Sequence, residues 1–283
     1  MVEPTQSQGK VTRRGFLKVS GAALVLLAGG GLYRAVDKGV FATGKGPAYE
    51  PWSFEPVKDE ERSVKDPFRL VQYAILAANA HNTQPWLFRV QSDQIELFAD
   101  ISRNIGAMDP YYREMYISLG CAIENLSLAA QAHRYEPQVH LLEGGLDQVK
   151  VAEVSLADRT PHASHLFHMI TKRHTHRGAY DPKKPLSDVL LREITALGND
   201  FSAAKLVWHT DQDEREQAGK LIIQATEAII QDADQVRDSH LWYRQDRDDI
   251  QRFKDGTTFV TPHIRYMSNR PLAAARCPYS RAC

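Results

Sequence analysis

Cysteine, net charge and long apolar runs are all scarce in this 283-residue sequence. The three cysteines, Cys121, Cys277 and Cys283, form no CxxC pair, so neither a disulfide framework nor a cysteine metal site is indicated. The 35 basic and 35 acidic side chains cancel, which leaves no net charge to attract nucleic acid or an anionic membrane surface. The sequence therefore excludes a disulfide scaffold and argues against a nucleic-acid partner.

Common catalytic and metal-binding signatures are missing as well. No GxSxG elbow, Walker loop or GxGxxG follows a strand pattern, which removes the simple hydrolase, NTPase and Rossmann interpretations. Without HExxH, or a carboxylate or thiolate set to complete a tetrahedral site, we predict no metal and interpret the histidine-rich stretch as a solvated helix face. Its members are His162, His165, His168, His174 and His176.

The N-terminus carries a targeting pattern. Residues 12–18, Thr-Arg-Arg-Gly-Phe-Leu-Lys, resemble the twin-arginine export consensus, and the apolar run at residues 21–32 is too short for an ordinary membrane span. We interpret residues 1–35 as a signal, with the twin-arginine translocase as partner and a periplasmic or other extracytoplasmic location. No Ala-x-Ala site follows, so cleavage and retention as an N-terminal membrane anchor both stay open. Because this pathway exports folded proteins, often with an inserted cofactor, the signal favours a bound prosthetic group.

The rest of the chain divides into a linker and a folded body. Residues 36–65 are rich in Gly, Pro and charge, which predicts an extended linker. Apolar periodicity then predicts a helix from Pro67, a strand at 86–90 and a long helix at 112–133. Shorter strands are expected at 95–99, 138–142 and 149–156. The second half is predicted to contain helices at 161–172, 187–197 and 213–233 and a strand at 205–209.

Two short motifs carry the candidate chemistry. Residues 81–86 read His-Asn-Thr-Gln-Pro-Trp, and the amides of Asn82 and Gln84 can both donate and accept hydrogen bonds. The alternative is an ordinary turn before a strand. Residues 172–177 read Lys-Arg-His-Thr-His-Arg, and Arg173 with Arg177 beside Thr175 could grip an anion bidentately. The alternative for this motif is a solvated basic turn.

Both motifs resemble the nitroreductase family of FMN enzymes, and residues 120–130 resemble that family's long core helix. With the export signal, the whole chain is similar to the Acg-type FMN-binding oxidoreductases, a duplicated nitroreductase branch. The resemblance implies FMN as cofactor and NAD(P)H as electron donor. It places the phosphate on Arg173, His174, Thr175 and Arg177 and the flavin ring near Asn82 and Gln84; it assigns no catalytic side chain.

The order of the motifs is inverted relative to the family, where the Arg-His-Thr element comes first. The resemblance therefore implies an α+β fold, with helices around a mixed sheet, built from two tandem nitroreductase-like copies at residues 66–158 and 159–283. Nothing after residue 256 matches the core helix of the first copy, so we expect the second copy to be C-terminally incomplete. One flavin site per chain is the most that these motifs support.

The implied function is hydride or electron transfer through FMN to a small-molecule acceptor such as a nitro compound or a quinone. A flavin-sequestering protein without turnover is the alternative, because NAD(P)H is scarce outside the cytoplasm. A membrane-tethered binding module that has lost the flavin is a third interpretation. A visible spectrum and a reduction assay separate the three.

Overall fold

A computed structural model describes residues 33, 46–52, 65–142, 149–175, 180–181, 184–198, 205–244 and 247–258. The twin-arginine motif, Arg177, Cys277 and Cys283 lie outside these residues, as does most of the predicted linker. The predictions for the N-terminal signal and for the final segment therefore stay predictions.

The described elements are seven α-helices, two of them 20 residues long, and six strands. The helices are α1 (Pro67–Ala74), α2 (Arg113–Ala132), α3 (His165–Met169), α4 (Asp188–Gly198), α5 (Gln212–Gln231), α6 (Ala233–His240) and α7 (Arg247–Phe253). The strands are β1 (Trp86–Val90), β2 (Gln94–Ala99), β3 (Tyr135–Leu141), β4 (Lys150–Asp158), β5 (Tyr243–Arg244) and β6 (Thr257–Thr258). Short 3-10 turns lie at Pro47–Trp52, Ala80–Asn82, Ile101–Arg103 and Gly106–Met108.

Four strands form an antiparallel sheet in the order β1-β2-β4-β3. The expectation of a mixed sheet was therefore wrong for the described residues. The antiparallel pairing follows from the connectivity. The pairs β1–β2 and β3–β4 each consist of consecutive strands, and a short connection between neighbouring strands enforces antiparallel pairing. The separate β5–β6 pair is parallel and only two residues long.

Helices α1 and α2 cover one face of this sheet. Asp66 begins α1 by accepting a hydrogen bond from the Phe68 amide, with Pro67 at the first helical position. Buried side chains of β2, β4 and α2 meet between the layers and contribute to two hydrophobic clusters. They include Ile95, Leu97, Val154, Leu119, Leu126 and Ala130. The result is an α+β fold, as the sequence predicted.

Charged side chains cross the sheet at Glu96, which is opposite Arg89 on β1 and Glu153 on β4. Lys150 contacts both Glu96 and Glu153, and Arg89 Nη1 lies 2.8 Å from Glu96 Oε2. The cation between the two carboxylates offsets a repulsive cross-strand pair. The hydrogen bond from Lys150 is the main reason why the pKa of Glu96 lies below its usual value of 4.5.

Glu96→Gln is expected to remove part of the acid sensitivity of folding. Because the pKa of Glu96 is depressed in the folded state, its stabilisation is present above the unfolded value of 4.5 and is lost as the pH falls through the folded value. The stability gap between wild type and variant should therefore be widest near about pH 7 and narrow below about pH 4. Urea unfolding across this range measures the gap, with Glu136→Gln in the exposed Arg159 pair as control. A constant gap would contradict the prediction.

Three further segments, two in the second half and one in the predicted linker, differ from the sequence prediction. Residues 205–210 pair with no described strand, and Trp208 Nε1 instead donates to Thr195 Oγ1 of α4 at 2.8 Å. The predicted helix at 161–172 is reduced to α3, which Ser164 caps by accepting from the Phe167 amide. Within the expected linker, Pro47–Trp52 forms a 3-10 helix whose Trp52 packs on the core. A tryptophan can bury enough apolar area to order such a segment.

Helices α4 and α5 contribute no buried residue. On α5, Leu221, Ile222, Ile223 and Ile230 are all more than half exposed. Ser187 caps α4, since its Oγ accepts from the Leu190 amide at 3.2 Å.

Candidate functional site

The first predicted motif forms a strained turn between α1 and β1. His81, Asn82 and Gln84 have φ angles of 47°, 54° and 53°, in the left-handed region that non-glycine residues seldom adopt. The side chain of Asn79 holds the turn, because its Oδ1 accepts from the Gln84 amide at 2.8 Å. Strain that the surroundings maintain in this way is common at binding sites.

Asn82 and Gln84 both reach a second turn at residues 254–256. Asn82 Nδ2 donates to the Gly256 carbonyl at 3.2 Å, and the Gly256 amide donates back to the Asn82 carbonyl at 3.0 Å. Gln84 Nε2 donates to the Lys254 carbonyl at 2.6 Å. The predicted ring-binding amides are therefore also the groups that join the first half of the chain to the second.

Asp255 is the central residue of the second turn and is 9% exposed. Its Oδ1 accepts from Nε and Nη2 of Arg244 at 3.0 and 2.6 Å, and its Oδ2 accepts from Arg103 Nη1 at 3.1 Å. The same Arg103 nitrogen donates to the Thr83 carbonyl at 2.8 Å. A buried carboxylate with two guanidinium partners is well compensated electrostatically.

Gly256 is expected to tolerate no side chain. Its φ is +79°, and an added Cβ would stand 2.6 Å from the Trp242 carbonyl oxygen. Gly256→Ala should therefore lower the free energy of unfolding by at least about 1 to 2 kcal/mol, as measured by urea unfolding. Gly120→Ala is the matched control, because an added Cβ on α2 meets nothing within 4 Å and should be neutral or stabilising. Equal effects of the two variants would contradict this reading of Gly256.

Arg173, in the second predicted motif, is half-buried beside the end of α1. Its Nη2 donates to the Leu76 carbonyl at 3.1 Å, and its Cζ lies 5.7 Å from the centroid of the Trp52 ring. Its Nε is buried and has no hydrogen-bond partner among the described residues. Burial lowers the pKa of Arg173, which records the cost of removing this cation from water. An anion at this place would offset that cost.

The neighbouring motif residues are more exposed. His174 stacks against Trp52 with the ring centroids 5.1 Å apart, and Thr175 is exposed. Arg177, which we expect to complete an arginine pair with Arg173, lies outside the described residues. Trp52 is a contact that the sequence analysis missed, because it was assigned to the linker.

The first motif and Arg173 of the second lie at opposite ends of the stretch formed by residues 76–84. Within the described residues, the two motifs do not contact each other. Arg173 binds the Leu76 carbonyl at the start of this stretch, and Asn82 and Gln84 lie at its end. Pro47–Trp52 connects them by a second route, because the Ala48 amide donates to Gln251 Oε1 of α7 at 2.9 Å, just before the 254–256 turn.

An open groove of about 560 Å³ lies elsewhere, between β1, β2 and the Ile101–Arg103 turn. None of the predicted site residues lines it. No group of three or more metal-binding side chains is assembled in the described ranges. Within the same ranges, no helix is both long and apolar enough to cross a membrane.

The chain is thus an α+β protein with helices over an antiparallel sheet, which is consistent with a nitroreductase-like fold. It is similar to two curated Mycobacterium tuberculosis proteins, from strains H37Rv and CDC 1551, that are provisionally named NAD(P)H nitroreductases, at 27% identity over 169 residues. The match covers 54% of this chain and 47% of each relative, so the chain spans about half the length of the curated relatives it matches. No family profile matches the chain. This weak similarity supports a relationship to the nitroreductase superfamily.

Proposed function

We propose that the protein is an exported FMN-dependent oxidoreductase that uses NAD(P)H and passes electrons to a nitro compound, a quinone or a similar small acceptor. The relatives' names support the reaction class and the electron donor. The sequence pattern at residues 12–18 supports export by the twin-arginine pathway. When bound, the flavin supplies the hydride and electron transfer, and the protein supplies binding and orientation.

The buried Nε of Arg173 is the observation that best supports the cofactor. A desolvated guanidinium without a counter-charge on this atom fits a phosphate, which can accept a charge-assisted hydrogen bond there. Thr175 is exposed two residues away and can add a hydroxyl donor. We therefore assign Arg173, His174, Thr175 and Arg177 to the phosphate end of FMN.

Asn82 and Gln84 suit the ring end. Their NH₂ groups donate to the 254–256 turn, and Asn82 is exposed while Gln84 is half-buried, so the amide oxygens remain available as acceptors. An acceptor at this place matches an N–H group on the flavin ring edge. No described side chain is needed as an acid or base, and we assign none.

The visible absorption spectrum of the purified full chain tests the proposal first. A bound flavin should give a yellow protein, or one that turns yellow on titration with FMN. Anaerobic addition of NADPH should then bleach the flavin, and an added quinone should restore the colour. Bound flavin that NADPH cannot reduce would favour the sequestering alternative. A chain that binds neither FMN nor riboflavin would overturn the proposal.

A further inference from the structure

We infer that Asp255 is a positioning residue of the flavin site, one that holds the ring-binding amides in place without touching the ring. This inference rests on the proposed function above. Asp255 lies far along the chain from both predicted motifs, so only the tertiary fold brings it close to the first of them. Its role follows from three sets of contacts.

The first set of contacts fixes the turn at residues 82–84. Arg103 uses one nitrogen, Nη1, for both the Thr83 carbonyl and Asp255 Oδ2, at 2.8 and 3.1 Å. Thr83 is 2% exposed and stands between the two amide-bearing residues. The carboxylate therefore orients the guanidinium that binds the carbonyl of Thr83, the residue between the left-handed Asn82 and Gln84.

The second set fixes the two carbonyls that bind the amides. Lys254 and Gly256 have φ angles of 55° and 79°, so the chain bends on both sides of Asp255. This bend directs the Lys254 carbonyl to Gln84 and the Gly256 carbonyl to Asn82. Each amide is thereby oriented with its NH₂ group toward the protein, which leaves its oxygen for a ligand.

The third set supplies the charge balance. Arg103 and Arg244 both converge on the Asp255 carboxylate, and the Arg244 side chain is 14% exposed. If the carboxylate lost its charge, the poorly exposed Arg244 would lose its ion pair, and Arg103 would keep only Asp100, whose Oδ2 lies 3.4 Å from Arg103 Nε. The two turns would then be held together less firmly. An effect on the ring end of FMN should follow, with no preference for ligands that carry a phosphate.

Asp255→Asn tests the role, because it keeps the size of the side chain and removes the charge. The experiment uses the full chain. It measures the dissociation constants for FMN and riboflavin, the absorption spectrum of the bound flavin and the thermal midpoint of unfolding. Both dissociation constants should rise by the same factor, about five-fold to ten-fold, and the spectrum should shift.

Asp238→Asn is the matched control. Asp238 is also a poorly exposed carboxylate between the two halves, accepting from the Ala107 amide at 2.8 Å, but it does not contact the 82–84 turn. It should lower the thermal midpoint without changing the spectrum or affinity of the bound flavin. If Asp255→Asn does not fold, Arg244→Lys is the second variant, because it loses the double hydrogen bond to Asp255 and keeps a positive charge.

The outcomes separate the two proposals. Wild-type protein that binds neither ligand would overturn the proposed function and this inference together. Wild-type binding with equal effects of the Asp255 and Asp238 variants, or with an unchanged flavin spectrum, would overturn the positioning role alone. A larger loss for FMN than for riboflavin would also overturn it, since Asp255 would then act at the phosphate end.

Discussion

Arg173→Ala is expected to weaken FMN binding by about ten-fold to a hundred-fold, because a lost charge-assisted hydrogen bond costs about 1.5 to 3 kcal/mol. The guanidinium is half-buried, and its Nε has no hydrogen-bond partner among the described residues. A phosphate bound there would pair with a cation that water hydrates poorly. Titration of the full chain with FMN, followed by flavin fluorescence, measures the loss.

Riboflavin separates a phosphate contact from a structural one. Arg173 also binds the Leu76 carbonyl, so some of the effect will come from the end of α1 and will apply to both ligands. The part due to the phosphate should appear only with FMN. Lys172→Ala removes the neighbouring exposed charge and should change neither affinity much. Equal losses for FMN and riboflavin in Arg173→Ala would show that the arginine supports the fold and not the phosphate.

Replacing Arg13 and Arg14 together by lysine is expected to abolish export. The substitution preserves both charges, so it tests recognition of the paired guanidinium groups rather than a general need for basic residues. Cell fractionation of the full chain should find the double variant in the cytoplasm and the wild type on the periplasmic side. Arg34→Lys, outside the motif, is the control and should be exported normally. Unchanged periplasmic or membrane-face recovery of the double variant would refute the export proposal.

Local patterns predicted the elements that have strong local causes. The long helix α2 was expected at 112–133 and occupies Arg113–Ala132, because its apolar residues recur at helical spacing. Strand β1 was expected at 86–90 and is found there, since Pro85 excludes helix just before it. The strand expected at 205–209 failed, because a strand needs a partner and local alternation cannot supply one.

The residue types of the candidate site could also be chosen from the sequence. The amides of Asn82 and Gln84 are groups that a flavin ring edge would need, and the guanidinium of Arg173 is one that a phosphate would need. Their motifs marked all three residues. Their partners could not be chosen in the same way. Trp52 was placed in a linker, and Arg103 carried no motif at all.

The sequence by itself determined the α+β composition, the central helix and the residue types of the two motifs. Only the tertiary structure decided what surrounds those motifs. Asn82 meets Gly256 across 174 positions of chain, and Arg173 meets Leu76 across 97. Such contacts depend on how buried layers pack and how buried charges find compensation, which no local periodicity encodes. The same packing places Asp255 close to the 82–84 turn, where both bind Arg103.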